Sequence, residues 1–191
     1  MEINNLFSVK DKVVVVTGGS RGIGEMITAG FLANGAKVYI SARKAPALIE
    51  KANELSDKYN AECIAIPCDL SNVEGIEAFS NEIKEREEGI DFLINNAGAA
   101  WAEPFESFSE AGWDKVMNLN VRSMFFLTQK MKSLLKLRAS VEDPSRVVNI
   151  GSIDGLNVPA FETYSYSTSK AAVHHLTRVM AAKLVKEDIL V

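Results

Sequence analysis

A run of four valines followed directly by a glycine-rich turn limits most strongly what this chain can fold into. The valines occupy positions 13–16, and positions 17–24 read TGGSRGIG. The β-branched run predicts a strand buried on both faces, and segment 22–33 predicts a helix that stops at Asn34 and Gly35. In this arrangement free backbone N–H groups and the positive end of the helix dipole point to one place. The unit therefore predicts an anion site that suits a dinucleotide pyrophosphate.

The spacing of the glycines narrows the type of site. Gly18, Gly22 and Gly24 give G-x-x-x-G-x-G, which differs from the G-x-G-x-x-G of the general dinucleotide fingerprint. The turn also lacks the Gly-Lys-Ser/Thr of a P-loop. An alternative is that the glycines only make a tight turn and a close helix–sheet contact. Their position directly after the first strand favours the phosphate site.

Short β-branched runs and longer amphipathic segments alternate along the rest of the chain. The pattern predicts strands at 37–41, 63–67, 92–94 and 146–150, a strand that begins at 189, and helices at 47–59, 73–88, 116–137 and 164–186. Such alternation is typical of a parallel sheet covered by helices on both faces. We therefore expect one domain over residues 1–191, an α/β protein with a three-layer, Rossmann-type doubly wound parallel sheet.

The end of the second strand predicts which dinucleotide binds. An acidic side chain there would bond the ribose 2′-hydroxyl of NAD, whereas a basic one would hold the 2′-phosphate of NADP. The sequence reads Ser41-Ala42-Arg43-Lys44 and contains no carboxylate. Arg43 can offer its planar fork to a phosphate, with Arg21 as a second cation. We predict NADP(H); the alternative for Arg43 and Lys44 is a solvated helix start.

Several polar side chains indicate a reaction centre. Tyr166 and Lys170 lie four residues apart on a predicted helix, so they leave the same face. A tyrosine is a poor acid or base at neutral pH, but an adjacent ammonium stabilises its phenolate. Such a pair alone is more often structural. Ser152 and the Asn-Asn-Ala-Gly run at 95–98, however, follow the fifth and fourth strands, where open α/β sheets bind ligands. Asn120 is an amide in an apolar helix, for which a capping or kinking role is the alternative.

Together these motifs resemble the short-chain dehydrogenase/reductase family, whose T-G-x-x-x-G-x-G, N-N-A-G, helix asparagine, serine and Y-x-x-x-K occur here in order and at the family's spacing. The resemblance implies that Tyr166 donates a proton to a carbonyl oxygen and that Ser152 hydrogen-bonds this oxygen. It implies that Lys170 stabilises the phenolate and binds the nicotinamide ribose, and that Asn120 holds a water of the proton relay. The implied cofactor contacts are Gly18, Ser20, Arg21, Gly22, Ile23, Gly24, Arg43, Asp69, Leu70, Asn96, Ala97, Gly98, Tyr166 and Lys170.

A weaker similarity concerns the substrate. Ser20, Arg21 and the loop 141–146 are similar to β-ketoacyl reductases of the rhamnolipid-pathway type. This implies an NADP-dependent oxidoreductase that acts on CH–OH/C=O groups and reduces a 3-oxoacyl thioester or related ketone. The family also implies a homodimer or homotetramer built on helices 116–137 and 164–186. The alternative is a non-catalytic or truncated dinucleotide-binding relative, against which the complete set of reaction residues argues.

Charge and cysteine content exclude other classes of function. A net charge of −4 gives no basic face for nucleic acid. Cys63 and Cys68 are the only cysteines, and their spacing is not that of a redox or zinc site, so we expect no metal. Residues 1–5 show no basic segment before an apolar run, and no apolar stretch reaches membrane-spanning length. We therefore predict a cytoplasmic enzyme with a small-molecule substrate.

The family's sheet continues past the strand that begins at 189. We therefore expect the C-terminal strands and the substrate-binding segment to be absent from these 191 residues. On that basis, the edge of strand 146–150 is expected to be unpaired, and an unpaired edge favours aggregation.

Overall fold

A computed structural model, which describes residues 7–191, contains one parallel sheet of six strands. The strands are β1 Val13–Thr17, β2 Lys37–Ala42, β3 Cys63–Pro67, β4 Phe92–Asn95, β5 Ser145–Asn149 and β6 Ile189–Leu190. Their order is β3-β2-β1-β4-β5-β6, and every neighbouring pair is parallel. The strand order reverses between β1 and β4, as in doubly wound folds. The predicted fold class is confirmed, whereas the predicted lack of a leader at 1–5 lies outside the described residues.

Helices cover both faces of this sheet. They are α1 Gly22–Ala33, α2 Ala45–Tyr59, α3 Val73–Arg86, α4 Glu110–Met117, α5 Ser123–Arg138 and α6 Tyr164–Leu184. A π-helical turn, Asn118–Arg122, joins α4 to α5, and short 3₁₀ turns lie at Phe105–Ser107, Ile153–Gly155 and Val185–Glu187. Within residues 7–191, no helix has both the length and the apolar character needed to cross a membrane.

The four valines of β1 are buried on both faces of the sheet. Because successive side chains point to opposite faces, Val13 and Val15 pack into a core with residues of α3 and α5. Val14 and Val16 pack into a second core with residues of α1 and α2. All four are at most 4% exposed. The central strand is therefore buried between two helical layers.

The prediction of one continuous helix at 116–137 is wrong in two respects, the residue at which the helix starts and its continuity. Helical structure already begins at Glu110, because the Ser109 hydroxyl accepts a hydrogen bond from the Gly112 N–H at 3.1 Å and caps the helix. The π-helical turn then interrupts it at Asn118–Arg122. The apolar periodicity alone does not reveal either feature.

The expectation of an unpaired edge at β5 is also corrected. Ile189 pairs with Ser145, and Leu190 pairs with Arg146. Ile189 is fully buried. The first part of β5 therefore has a parallel neighbour, since the chain reaches β6 through a single 3₁₀ turn after α6.

Candidate active site

The glycine turn between β1 and α1 is held by the segment that follows β4. The Thr17 hydroxyl accepts hydrogen bonds from the N–H groups of Asn96 and Ala97, both at 2.9 Å. The Asn96 side-chain amide donates to the carbonyls of Thr17 and Gly18 at 2.9 and 3.2 Å. Thr17 was missed by sequence reasoning, although its place before Gly18 was a usable signal. Asn96 therefore supports the turn as well as facing the cleft described below.

Two glycines are required by the geometry of this turn. Gly18 has a φ of +66°, in the left-handed region that glycine adopts without strain. A Cβ on Gly24 would lie 2.2 Å from the Gly18 carbonyl oxygen. Helix α1 therefore starts in direct backbone contact with the turn, with its N-terminal N–H groups at the same place.

A cleft of about 1220 Å³ lies at the carboxyl ends of the strands around the reversal of strand order. It brings together eleven of the predicted cofactor contacts: Gly18, Ser20, Arg21, Ile23, Gly24, Arg43, Asp69, Leu70, Asn96, Ala97 and Gly98. Gly22, Tyr166 and Lys170 do not line it. Gly22 instead shapes the turn, with a φ of +56°.

Positive charge is available at the mouth of this cleft. Arg21 and Arg43 are exposed, and within the described residues neither forms a salt bridge. The Ser71 N–H donates to Asp69 at 3.0 Å and holds the pKa of that carboxyl below its usual range, with a smaller contribution from the charge of Arg43. Ser41, not singled out from the sequence, lines the cleft, and its hydroxyl is buried and has no hydrogen-bond partner in the part of the chain that is described.

Ser152, Tyr166 and Lys170 are placed around the carboxyl end of β5. The Lys170 ammonium donates to the Ile150 carbonyl at 2.6 Å and lies 5.8 Å from the centre of the Tyr166 ring. Burial lowers the pKa of Lys170, which is 6% exposed. The Ser152 hydroxyl accepts from the Asp154 N–H at 3.2 Å and caps a 3₁₀ turn. This turn packs on α6, since a Cβ on Gly155 would lie 2.6 Å from the carbonyl carbon of Lys170.

Asn120 lies inside the π-helical turn and is almost completely buried. Its side-chain oxygen, Oδ1, accepts a hydrogen bond from the Ala99 N–H at 2.8 Å. Its side-chain nitrogen, Nδ2, donates to the Ala99 carbonyl and to the Ser169 hydroxyl, both at 2.9 Å. Both amide hydrogens are therefore engaged with the protein. A water held by Asn120 would have to use another of its atoms.

The comparisons with known proteins agree with this arrangement. Residues 12–191 match the family model described as short chain dehydrogenase. The chain belongs to the short-chain dehydrogenase family. This short-chain dehydrogenase is 45% identical to the rhamnolipids biosynthesis 3-oxoacyl-[acyl-carrier-protein] reductase of Pseudomonas aeruginosa, over 96% of the chain and 71% of that protein. It is 35% identical to the D-xylose 1-dehydrogenase of Caulobacter vibrioides, over 96% of the chain and 70% of that protein.

Solved structures of the same family superimpose closely. The Pseudomonas aeruginosa RhlG/NADP active-site complex matches with a TM-score of 0.92 at 45% identity, over 96% of this chain and 71% of that one. The L-sorbose reductase of Gluconobacter frateurii, complexed with NADPH and L-sorbose, matches with a TM-score of 0.88 at 27% identity, over 94% of this chain and 66% of that one. The prediction of a short-chain dehydrogenase/reductase is confirmed.

Proposed function

We propose that this short-chain dehydrogenase is an NADP(H)-dependent oxidoreductase that reduces a 3-oxoacyl thioester or a related ketone. One observation carries the proposal: Ser152, Tyr166 and Lys170 surround the end of β5 in a fold whose neighbouring strands form a dinucleotide cleft. The 45% identity to a 3-oxoacyl-[acyl-carrier-protein] reductase supports the substrate class.

The residues of the cleft fit NADP(H). The glycine turn offers backbone N–H groups for the pyrophosphate, and the close approach of Gly24 to Gly18 leaves no room for a side chain there. Arg21 and Arg43 are exposed and free of salt bridges within residues 7–191, so both guanidinium groups can serve a phosphate. When bound, the nicotinamide supplies the hydride.

The protein's own residues would manage the proton and the carbonyl oxygen. Tyr166 would donate its phenolic proton to the substrate oxygen. The Ser152 hydroxyl accepts from the Asp154 N–H, so its own proton stays available to hydrogen-bond the same oxygen. The Lys170 ammonium donates one of its three N–H groups to the Ile150 carbonyl. The other two would remain for a ribose hydroxyl and for Tyr166. The positive charge of Lys170 stabilises the phenolate that proton donation leaves on Tyr166.

The direct experiment is NADPH oxidation with a 3-oxoacyl thioester, with Tyr166→Phe as the test variant. Loss of a positioned general acid lowers the rate by about 10²–10⁴-fold, so we expect this drop in kcat while NADPH still binds. Tyr164→Phe is the matched control, because Tyr164 lies on the same helix and its hydroxyl donates to the exposed Glu162. Equal rates for wild type and Tyr166→Phe would contradict the proposal.

Exposed apolar side chains that follow Ser152 favour a substrate with an acyl chain. They are Ile153, Leu156, Val158 and Phe161, all at least 64% exposed. Burial of a methylene contributes about 0.8 kcal/mol, so kcat/KM is expected to rise by up to about fourfold per methylene. Val158→Ser should flatten this dependence, whereas Val141→Ser, also exposed but before β5, should not. A series from 3-oxobutanoyl to 3-oxodecanoyl thioesters with no trend would contradict an acyl substrate.

We also propose that the single domain over 1–191 assembles as a homodimer or homotetramer through the helices predicted at 116–137 and 164–186. Exposed apolar side chains on these helices support this, namely Phe125, Leu137 and Val179, which are 40, 72 and 44% exposed. Light scattering that shows only a monomer would contradict it. The cytoplasmic location stays a prediction.

A further inference from the structure

The Ser169 hydroxyl joins two elements of the proposed active site. Ser169 is fully buried on α6, between Tyr166 and Lys170. Its hydroxyl donates to the Tyr166 carbonyl at 2.7 Å and accepts from the Asn120 amide at 2.9 Å. The single proton of the hydroxyl and one of its lone pairs are thus both used. The turn of α6 that carries Tyr166 is therefore hydrogen-bonded to the π-helical turn.

The same connection continues to the wall of the cleft. Asn120 holds both the N–H and the carbonyl of Ala99, and Ala99 lines the cleft next to Gly98. A continuous series of hydrogen bonds consequently runs from the cleft wall through Asn120 and Ser169 to the backbone of Tyr166. Its members are buried or half-buried, where each bond is stronger than in water and a missing partner costs more.

We propose that Ser169 is a positioning residue, whose hydroxyl fixes the turn that carries Tyr166 relative to the cofactor cleft. The inference rests on the proposed function, because it assigns Ser169 a place behind the residue that we propose as the proton donor. It also explains the polar Asn120 in an apolar helix. Without the Ser169 hydroxyl, one amide hydrogen of Asn120 loses its acceptor at a position that is almost completely buried.

The first test compares Ser169→Ala with Ser165→Ala. Ser165 is also fully buried on α6, next to Tyr166, but its hydroxyl has no hydrogen-bond partner among residues 7–191. We expect Ser169→Ala to lower kcat about tenfold, the effect of 1.36 kcal/mol on the barrier, with the KM for NADPH nearly unchanged. Ser165→Ala should retain the wild-type kcat, and Ser169→Thr should recover most of it. Wild-type kcat in Ser169→Ala would overturn the inference.

The second test needs no activity. Thermal unfolding of Asn120→Ala, Ser169→Ala and the double variant measures whether the two side chains act as one unit. We expect the double variant to lose clearly less Tm than the sum of the two single losses. Additive losses would overturn the inference. If the wild type reduces no 3-oxoacyl thioester, the proposed function fails, and this unfolding comparison still decides whether Ser169 and Asn120 are coupled.

Discussion

Gly24 and Gly30 lie in the same helix, α1, but differ in their surroundings. A Cβ on Gly24 would meet the Gly18 carbonyl oxygen at 2.2 Å, whereas a Cβ on Gly30 would meet nothing within 4 Å. Gly24→Ala is expected to lower the free energy of unfolding by about 1–3 kcal/mol and to weaken NADPH binding. Gly30→Ala should raise it by about 0.5–1 kcal/mol, since alanine is the better helix former. Urea unfolding distinguishes the two, and equal effects would contradict the close contact of turn and helix.

Arg43 is the residue on which the cofactor choice depends. Its exposed guanidinium forms no salt bridge in the described chain and lines the cleft at the end of β2. A hydrogen bond to a charged group contributes about 1.5–3 kcal/mol, so Arg43→Asp should lower the NADPH-to-NADH preference by about 10–100-fold. Arg86→Asp, at the end of α3 and away from the cleft, is the control. The measurement is the ratio of kcat/KM for NADPH to kcat/KM for NADH. An unchanged ratio in Arg43→Asp would count against a contact between Arg43 and the 2′-phosphate.

At the scale of elements, Lys12 connects the starts of three strands. Its ammonium forms salt bridges with Asp91, just before β4, at 3.0 Å and with Asp143, just before β5. The bond from Lys12 holds the pKa of Asp143 below its usual value. The salt bridge between Lys12 and Asp143 therefore contributes its full stabilisation above about pH 4. This contribution is lost as the pH falls through the lowered pKa of Asp143 in the folded state.

Asp143→Asn should remove this part of the pH dependence. We expect a lower free energy of unfolding than the wild type at pH 6 and a smaller difference at pH 3, measured by urea unfolding. Glu142→Gln changes an exposed neighbour that forms no salt bridge within residues 7–191, and it should leave the curve unchanged. If the free energies of unfolding of wild type and Asp143→Asn differed by the same amount at pH 3 and pH 6, the stabilising role of the Lys12–Asp143 salt bridge would be contradicted.

The elements that the sequence predicted well are those with local signals. Helix α1 and strand β3 have the predicted bounds, because Asn34 and Gly35 end the helix and the short apolar run at 63–67 contains two isoleucines. The π-helical turn could not be predicted, since it surrounds Asn120, whose partners Ala99 and Ser169 lie 21 and 49 residues away in sequence. Its stability depends on tertiary contacts that no local pattern records.

At the scale of the whole molecule, the site was predictable to the extent that topology determines it. Parallel strands bring their carboxyl ends to one edge, so the segments after β1, β2, β3 and β4 had to meet there. The position of Thr17 before Gly18 could be read from the sequence, but its hydrogen bond with Asn96 could not, nor could the burial of the Ser41 hydroxyl without a partner among residues 7–191. Those features depend on side-chain directions between strands far apart in the chain.

Hydride transfer from NADPH to a substrate carbonyl, assisted by Tyr166, is the reaction that we propose. The most direct measurement uses NADPH that carries deuterium at both C4 positions of the nicotinamide, with a 3-oxoacyl thioester as acceptor, and mass spectrometry of the product. We expect one deuterium at the former carbonyl carbon of the product made by the wild type and by Tyr164→Phe, and about 10²–10⁴-fold less labelled product per unit time with Tyr166→Phe. A reduced product without deuterium, or labelled product formed as fast by Tyr166→Phe as by the wild type, would contradict this reaction.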